Sequence, residues 1–463
     1  MPSQRLWPLV AAASLLASGA LSAEISKRPA IQSNRWEEDW SALANPALSK
    51  QPLDVLKYVP LSASDPETYV SFGATLRERF ETNYAPDFGI GGVTGDSYLS
   101  QRAQFHIDLH LNQDWQIFTQ FEDDRAFEKV DVGPADADRL DLRLGFVGFS
   151  HEFDTGTFKA RIGRQDFAFD LQRFVSSRDG PNVRQSFDAV WADWESGPWR
   201  VLGFASQPVQ YRDDRDFDDT SSADFRFNML RVERQVLGTN ELSAYWALFD
   251  RDTARYIDGS GEEDRHVFDL RFAGKASGFD WDVEAMGQLG KVGEKDIRAW
   301  AVGARTGYTF ENAAWTPRIG LQFDIGSGDR NSGDKSLGTF NPLFPNGYYF
   351  SLGGYTSYAN LIHIKPSVTI KPTENLTLTS AVGLQWRQTT SDAIYVQPNL
   401  AVAGTAGRGG SWTGAYAQLR VDYAFTPNLT GAIEAVHFEA GRAIQNAGGH
   451  DSNYLGAELK FTW

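Results

Sequence analysis

The sequence predicts an all-β protein, a transmembrane antiparallel β-barrel of 18 strands with short periplasmic turns and long extracellular loops. Three observations carry this prediction. Segments with apolar residues at every second position recur along the chain, as in strands with one apolar and one polar face. The connections between them are alternately short and long, which is typical of transmembrane barrels. Beyond residue 23 there is no uncharged apolar run of about 18 residues, so no transmembrane helix is predicted.

The composition agrees with this fold and excludes several kinds of site. Aromatic residues make up 13% of the chain, and 43 glycines accompany only 3 methionines, which suits many strands and tight turns. The absence of cysteine excludes disulfides and thiolate metal sites. A formal net charge of -16 gives no indication of a nucleic-acid-binding surface.

The N-terminus divides into two segments before the barrel, which is predicted over 67–463. Residues 1–23 have an early Arg5, an apolar run and then small residues, which predicts a secretory signal peptide cleaved after Ala20 or Ala23. Residues 24–66 form a periplasmic leader. Three roles for this leader are open: a plain connection to the first strand, a tether for a periplasmic partner, or a segment that enters the pore mouth.

Eighteen segments have the alternation expected of strands, and most are 9 to 14 residues long, against the roughly 9–11 that a tilted strand needs to cross a bilayer. The predicted strands are 69–82, 98–111, 115–125, 139–150, 157–165, 186–195, 199–206, 225–236, 241–250, 265–274, 279–290, 297–309, 315–326, 358–371, 375–387, 412–425, 428–440 and 453–463.

The connections place both termini on the side of the short turns, which would be the periplasm. The short turns are rich in Gly, Pro, Asn, Asp and Ser, and include 112–114, 196–198, 237–240, 275–278, 372–374 and 426–427. The long loops are 83–97, 126–138, 166–185, 207–224, 251–264, 327–357, 388–411 and 441–452, and only 291–296 is short where a long one is expected.

The last strand shows the pattern most plainly. Leu455, Leu459 and Phe461 share one face with Ala457 and Trp463, and polar residues occupy the other. A chain that ends in such a strand resembles bacterial outer-membrane barrels, whose terminal strand the barrel-assembly machinery reads. Membrane lipid and lipopolysaccharide are therefore expected partners of the apolar face.

If the apolar residues face lipid, the alternate positions line the lumen. This phase puts twelve bases there: Arg77, Arg79, Arg102, Arg143, Arg161, Arg271, Arg305, Arg318, Lys365, Arg387, Arg420 and Lys460. It also puts ten acids there: Asp108, Glu122, Asp141, Asp269, Asp280, Asp282, Glu284, Asp324, Asp422 and Glu458. Two interpretations stay open, a structural ladder of cross-strand ion pairs and a path along which fixed bases attract an anionic solute.

One charged stretch, GRQDFAFDLQRFVSSRDGPNVRQSFDAV from Gly163 to Val190, lies between two predicted strands. Its loop arginines Arg173, Arg178 and Arg184 are expected to project toward the pore and to meet the aspartates of the same stretch, which are Asp166, Asp170, Asp179 and Asp188. Arginines left without a carboxylate would filter solutes, whereas paired ones would brace the loop.

Three groups of residues resemble the alginate export family of Gram-negative outer-membrane proteins. They are RWEEDWSAL, LKYVPL and YVSFGATLRERFE within 35–82, RIGRQDF and SRDGPNVRQSFDAV within 161–190, and GSGDRNSGDKSLGTFNPLFP within 326–346. The resemblance implies an eighteen-stranded barrel, loops that narrow the pore, and a lumen of arginine and lysine that conducts a polyuronate. It also implies lumen or loop roles for Arg77, Arg79, Arg161, Arg164, Arg178 and Arg184.

Catalytic and metal motifs are not evident, so no enzyme activity, cofactor or metal site is predicted. His106 and His110 share a strand face, but four residues separate them by about 13 Å, too far for one metal ion. The acids of 213–219 are open to two interpretations, a solvated charged surface or sites for divalent cations beside lipopolysaccharide.

The expected function is passive passage of anionic saccharides, such as alginate or related uronate oligomers, or of similar small anions. One alternative is a general or nutrient-uptake porin for aromatic acids or neutral sugars. Another is a non-conducting barrel that acts as an adhesin or receptor.

Overall fold

The computed structural model describes residues 28–92, 95–236, 240–397 and 399–463. The predicted signal peptide and the first leader residues, 24–27, lie outside them. Eighteen strands form the wall and are numbered β1 to β18: Tyr69–Asn83, Asp96–His110, Trp115–Phe127, Asp138–Phe153, Gly156–Gln165, Phe187–Ser196, Trp199–Pro208, Phe225–Val236, Asn240–Tyr256, Gly259–Ala276, Phe279–Val292, Lys295–Thr309, Arg318–Gly326, Leu361–Thr373, Leu376–Arg387, Trp412–Ala424, Leu429–Ala440 and Ser452–Thr462.

The sheet closes on itself. Each strand pairs antiparallel with the next one in sequence, and β1 pairs with β18 from Thr75 opposite Thr462 to Asn83 opposite Tyr454. A closed sheet has no edge, so the wall satisfies its backbone hydrogen-bonding groups without water. The prediction of an all-β barrel with 18 antiparallel strands is confirmed.

The outer face carries the apolar half of the alternation. In β18, Leu455, Leu459 and Phe461 are 44%, 51% and 45% exposed. On the lumen side, Arg77 and Arg79 of β1 are almost completely buried. Large apolar side chains outside and charged ones inside are the reverse of a water-soluble protein and match a wall in contact with hydrocarbon.

The prediction of a long loop at 251–264 is wrong. The two strands β9 and β10 continue through it and meet at a tight turn of Ile257 and Asp258, with an irregularity in β9 between Arg251 and Ala254. Polar residues on both faces of this hairpin suggested a loop, but a hairpin that projects beyond the bilayer needs no apolar face. Glu263 stabilises it by ion pairs of 2.7 Å with Arg251 and Arg265.

Short elements lie outside the wall. They are 3-10 turns at Arg35–Glu37, Ser41–Ala44 and Pro86–Gly92, helical turns α1 (Asp54–Lys57) and α2 (Arg442–Gln445), and two-residue strands Val59–Pro60, Ser336–Leu337, Tyr395–Val396 and Leu400–Ala401. None of the helices among the described residues is long and apolar enough to span a membrane.

The described part of the leader, 28–66, enters the periplasmic mouth of the barrel. Arg35 donates a hydrogen bond of 2.9 Å to the carbonyl of Trp463, at the end of the chain. The Trp36 ring lies edge-on to the ring of Phe118, with 6.0 Å between centroids. Because Phe118 faces the lumen from β3 and is fully buried, the leader occupies lumen space.

The orientation of the wall predicts how it tolerates charge. Leu419 lies near the middle of β16 on the outer face and is 46% exposed. We expect Leu419→Arg to destabilise the barrel by about 2–4 kcal/mol, because the guanidinium would enter hydrocarbon. Gln418→Arg, one residue away on the lumen face, should cost much less. Urea unfolding in lipid vesicles, followed by heat-modifiable mobility on gels, measures both, and equal losses would contradict the assigned faces.

Candidate functional site

One long extracellular loop, 166–186, folds inward and crosses the lumen. On one side, Arg77 of β1 donates to the carbonyl of Asp179 at 2.8 Å and to Asn182 Oδ1 at 3.0 Å. Arg102 of β2 donates to the Asn182 carbonyl at 2.7 Å and forms a 2.8 Å ion pair with Asp179. Two wall arginines therefore hold the tip of this loop against β1 and β2.

The same loop is fixed on the other side of the barrel. Asp170 accepts ion pairs of 2.7 Å from Arg231 of β8 and 2.8 Å from Arg271 of β10. Burial would raise the pKa of Asp170, but these two guanidinium groups outweigh it and lower the pKa. Arg173 reaches Glu284 of β11 at 2.7 Å. The loop is thus held across the lumen at both ends by charge-assisted hydrogen bonds.

A second inward loop, 327–360, packs on the first. The backbone N–H of Phe344 donates to the carbonyl of Phe174 at 2.9 Å, and the N–H of Ser176 donates to the carbonyl of Phe344 at 2.9 Å. Together, 166–186 and 327–360 narrow the lumen, and we call them the constriction. The expectation that loops restrict the pore agrees with this geometry.

Nine of the predicted lumen or loop arginines form ion pairs with carboxylates of the described residues, at N–O separations of 2.5 to 3.4 Å. The pairs are Arg79–Glu434, Arg102–Asp179, Arg143–Asp166, Arg164–Asp188, Arg173–Glu284, Arg184–Asp179, Arg271–Asp282, Arg318–Asp280 and Arg420–Asp422. Their contacts support the bracing interpretation, because a carboxylate neutralises each of them locally.

The prediction that Arg164 is a lumen arginine does not hold. Arg164 shares its face of β5 with Ile162, which is 60% exposed on the outside of the barrel. It pairs with Asp188 at 2.9 Å and lies under the loop that contains Asp219, whose carbonyl accepts a 3.4 Å hydrogen bond from it. Arg161 and Arg164 are three residues apart, so they point to opposite faces of one strand.

Arg161 faces the lumen and lies among aromatic rings. Its guanidinium carbon is 4.4 Å from the ring centroid of Trp191, 5.5 Å from that of Trp36 and 5.3 Å from that of Phe146. These are cation–π distances. Arg161 therefore joins the wall to the leader near the periplasmic end.

The remaining predicted bases differ from the paired ones. Within the described ranges no carboxylate oxygen lies within 4.0 Å of the basic groups of Arg77, Arg178, Arg305, Lys365, Arg387 and Lys460. Both terminal guanidinium nitrogens of Arg77 and of Arg387 donate to backbone carbonyls of loops, as for Arg387 with Thr405 and Gly410 at 2.6 Å each. We call Arg178, Arg305, Lys365 and Lys460 the unpaired cations, because they have no carboxylate partner among the described residues. Lys365 does donate to two backbone carbonyls, those of Tyr349 and Phe350.

Three unpaired cations lie beside the second loop of the constriction. Arg305 and Lys365 stand in register on either side of Gln322, on β12 and β14. Lys365 also donates to the Phe350 carbonyl of the constriction at 2.8 Å. Arg178 lies over the ring of Phe344 at 5.7 Å, and burial lowers the pKa of its guanidinium.

The fourth unpaired cation lies on β18, four strands from β14 around the wall. Lys460 of β18 stands in register with Arg77, which holds the loop tip. Positive charge without a carboxylate partner in the described residues therefore borders the constriction at two places on the wall, one beside each of its loops. Such groups can attract a passing anion and replace part of its water.

Two residues at the constriction, Arg231 and Tyr348, were not predicted from the sequence. Arg231 is fully buried and binds Asp170, and Tyr348 lies against Arg79 at 5.1 Å. Alternation did not identify Arg231 as a lumen residue, because Phe227 and Met229 on the same face of β8 are apolar. Apolar residues were expected to face lipid, but these two are buried in the lumen. No sequence signal marked the tyrosine.

Comparison with known proteins agrees with the fold. Residues 68–458 match the family described as alginate export. None of the curated proteins matches the chain. Similar solved structures include Acinetobacter baumannii OccAB1, with a TM-score of 0.57 at 13% identity over 88% of this chain and 98% of that one.

Two further solved structures have the same architecture. A BenF-like porin from Pseudomonas fluorescens Pf-5 gives a TM-score of 0.56 at 11% identity over 85% of this chain and 99% of that one. Pseudomonas aeruginosa OccK2 in complex with glucuronate gives 0.54 at 13% identity over 85% and 98%. At these identities the likeness concerns the fold. The family match spans nearly the whole barrel, and we conclude that this chain belongs to the alginate export family and is an outer-membrane channel.

Proposed function

We propose that this channel passes small carboxylate-bearing anions, namely uronates and their oligomers, by passive diffusion. The unpaired cations beside the constriction are the observation that carries the proposal. A base already neutralised by a carboxylate has little attraction left for a solute, whereas an unpaired one can bind a solute carboxylate weakly and release it. Four such bases beside a narrow passage favour anions there.

Two comparisons support this solute class. The family to which the chain belongs is described as exporting alginate, which is a polyuronate. OccK2, a barrel of similar architecture, has been crystallised in complex with glucuronate. The net charge of -16 does not oppose an anion path, because the field inside a pore depends on the local groups and not on the total.

Block of single channels tests the solute. Folded protein in planar bilayers should show concentration-dependent interruptions of current when oligomers of mannuronate or guluronate are added. Neutral maltooligosaccharides of the same length are the control. Equal block by both series would show that the oligomers act by size alone, and the proposed charge recognition would be wrong.

Arg178 and Arg184 separate filtering from bracing within one loop. Arg178 has no carboxylate partner among the described residues, whereas Arg184 lies 3.4 Å from Asp179 and 3.5 Å from Asp166. We expect Arg178→Ala to reduce anion preference without changing stability. Arg184→Ala should instead loosen the loop and increase current noise. Reversal potentials under a salt gradient measure the first effect. An unchanged potential in Arg178→Ala would leave Arg178 with no role in selectivity.

A further inference from the structure

A group of carboxylates lies at the extracellular end of β4, at the rim of the barrel. Asp141 of β4 and Asp218 and Asp219 of the loop 209–224 each bring one oxygen within 4.8 Å of the others. A fourth residue, Asp138, starts β4, and its carboxyl group interacts directly with that of Asp219. Two separate parts of the chain thus meet in a cluster of four acids.

Two of these acids have oxygens that nothing in the described part of the chain satisfies. Asp138 and Asp218 are each only 7% exposed, and Oδ1 of each has no hydrogen-bond donor among the described residues. A buried carboxylate oxygen without a donor is unfavourable and calls for a partner. Because Asp138 lies beside Asp219, its free oxygen adds to the same cluster.

Other oxygens of the cluster accept backbone N–H groups of β4 or of the loop. The Leu142 N–H of β4 donates to Asp141 Oδ1 at 2.6 Å. Asp219 donates its N–H to Asp141 Oδ2 at 3.0 Å, and Arg212 donates its N–H to Asp219 Oδ1 at 2.9 Å. Arg215 donates its N–H to Asp218 Oδ2 at 3.2 Å. The loop therefore brings the carboxylates of Asp218 and Asp219 to β4, whereas the side chains of Arg212 and Arg215 are exposed.

Positive charge near the cluster is too small to balance it. The nearest guanidinium, that of Arg164, is 3.7 Å from Asp141 Oδ1 and is already bound to Asp188 at 2.9 Å. Four close acids with one shared arginine require protons or a cation.

We infer that Asp138, Asp141, Asp218 and Asp219 bind a Ca²⁺ ion that fixes the loop 209–224 to the top of β4. Ca²⁺ takes oxygen ligands at about 2.3–2.6 Å, so two oxygens on one ion are separated by at most about 4.6–5.2 Å. The 4.8 Å limit on the three oxygens fits this geometry. The free Oδ1 atoms of Asp138 and Asp218 are the groups that the ion would satisfy.

The fixed loop also covers part of the outer wall. Phe217 donates its N–H to the Leu140 carbonyl at 3.0 Å, and its ring lies 6.1 Å from that of Phe121, on the outer face of β3. Phe217 itself is 57% exposed, so this contact alone buries little area. The cation would supply most of the attraction that keeps the loop in place.

Calorimetric titration of CaCl₂ into the folded protein, freed of metal by EDTA and dialysed, tests the site. We expect one saturable Ca²⁺ site in the native chain, and binding weakened by about tenfold or more in Asp218→Asn and in Asp219→Asn. Asp214→Asn is the matched control, because Asp214 is an exposed acid of the same loop, and it should bind normally. Heat-modifiable gel mobility verifies that each variant is folded.

Limited trypsin digestion gives a second readout. Cleavage after Arg212 or Arg215 should be slower with Ca²⁺ than with EDTA in the native chain and in Asp214→Asn, but not in Asp219→Asn. The control variant also removes any effect of calcium on the protease. A native chain that binds no Ca²⁺, or binding lost equally in Asp214→Asn and Asp219→Asn, would overturn the inference. MgCl₂ titrated in place of CaCl₂ should bind more weakly, and tighter Mg²⁺ binding would contradict the assignment of calcium.

Discussion

Replacing Arg305 and Lys365 together by glutamate is expected to turn an anion-preferring channel into one that prefers cations. Both side chains face the lumen beside the constriction and have no carboxylate partner in the described parts of the chain. A fixed charge about 4 Å from an ion contributes roughly 1 kcal/mol even in water-like surroundings. Reversing two of them should change the ratio of anion to cation permeability by more than about tenfold.

Zero-current potentials across a bilayer with unequal KCl on its two sides measure this change. Arg255→Glu with Lys291→Glu is the matched control, because it alters the net charge equally at two exposed extracellular positions outside the constriction. The control should keep the native potential. If the control shifts the potential as much as Arg305→Glu with Lys365→Glu does, selectivity arises from the total charge and not from the unpaired cations.

Removing the leader segment 28–57 is expected to increase single-channel conductance by about twofold or more, since a barrel of eighteen strands otherwise encloses an aqueous channel. The leader occupies the periplasmic mouth through Arg35 and Trp36. Arg35 is 6% exposed and also forms a 2.6 Å ion pair with Glu38. Deletion of residues 28–57 would leave β1 intact, because that strand begins at Tyr69.

A milder variant distinguishes occlusion from damage to the barrel. Arg35→Ala with Trp36→Ala should leave the leader attached but loosely docked, so that current switches between two levels. Lys50→Ala, at an exposed leader position, should behave as the native chain. Native conductance in both the deletion and the double variant would mean that the leader does not limit the passage of ions.

The wall was predictable from sequence because its physics is local. Strands such as β18 alternate between lipid and water at every residue, so Leu455, Leu459 and Phe461 fix the phase of the whole strand. The predicted bounds of β8, 225–236, agree with the structure. The hairpin at Ile257 was missed because it rises out of the bilayer, where the constraint that produces alternation is absent.

The site was predictable only in part. The alternation of apolar and polar residues placed Arg77 and Arg305 correctly in the lumen. It could not show that backbone carbonyls of the loop tip accept hydrogen bonds from Arg77, or that no carboxylate of the described residues contacts Arg305. Those contacts join residues more than a hundred positions apart, as for Arg77 and Asp179 at 102. The same rule failed at β8, because the constriction buries Phe227 and Met229 against the lumen side of the wall.

The zero-current potential of the native channel tests the central claim most directly. The measurement uses purified, folded protein in a planar bilayer with about a tenfold gradient of potassium glucuronate across it. We predict a zero-current potential whose sign shows that glucuronate passes more readily than potassium. A potential of the opposite sign, showing that potassium passes more readily than glucuronate, would contradict the proposal that unpaired cations at the constriction select the solute.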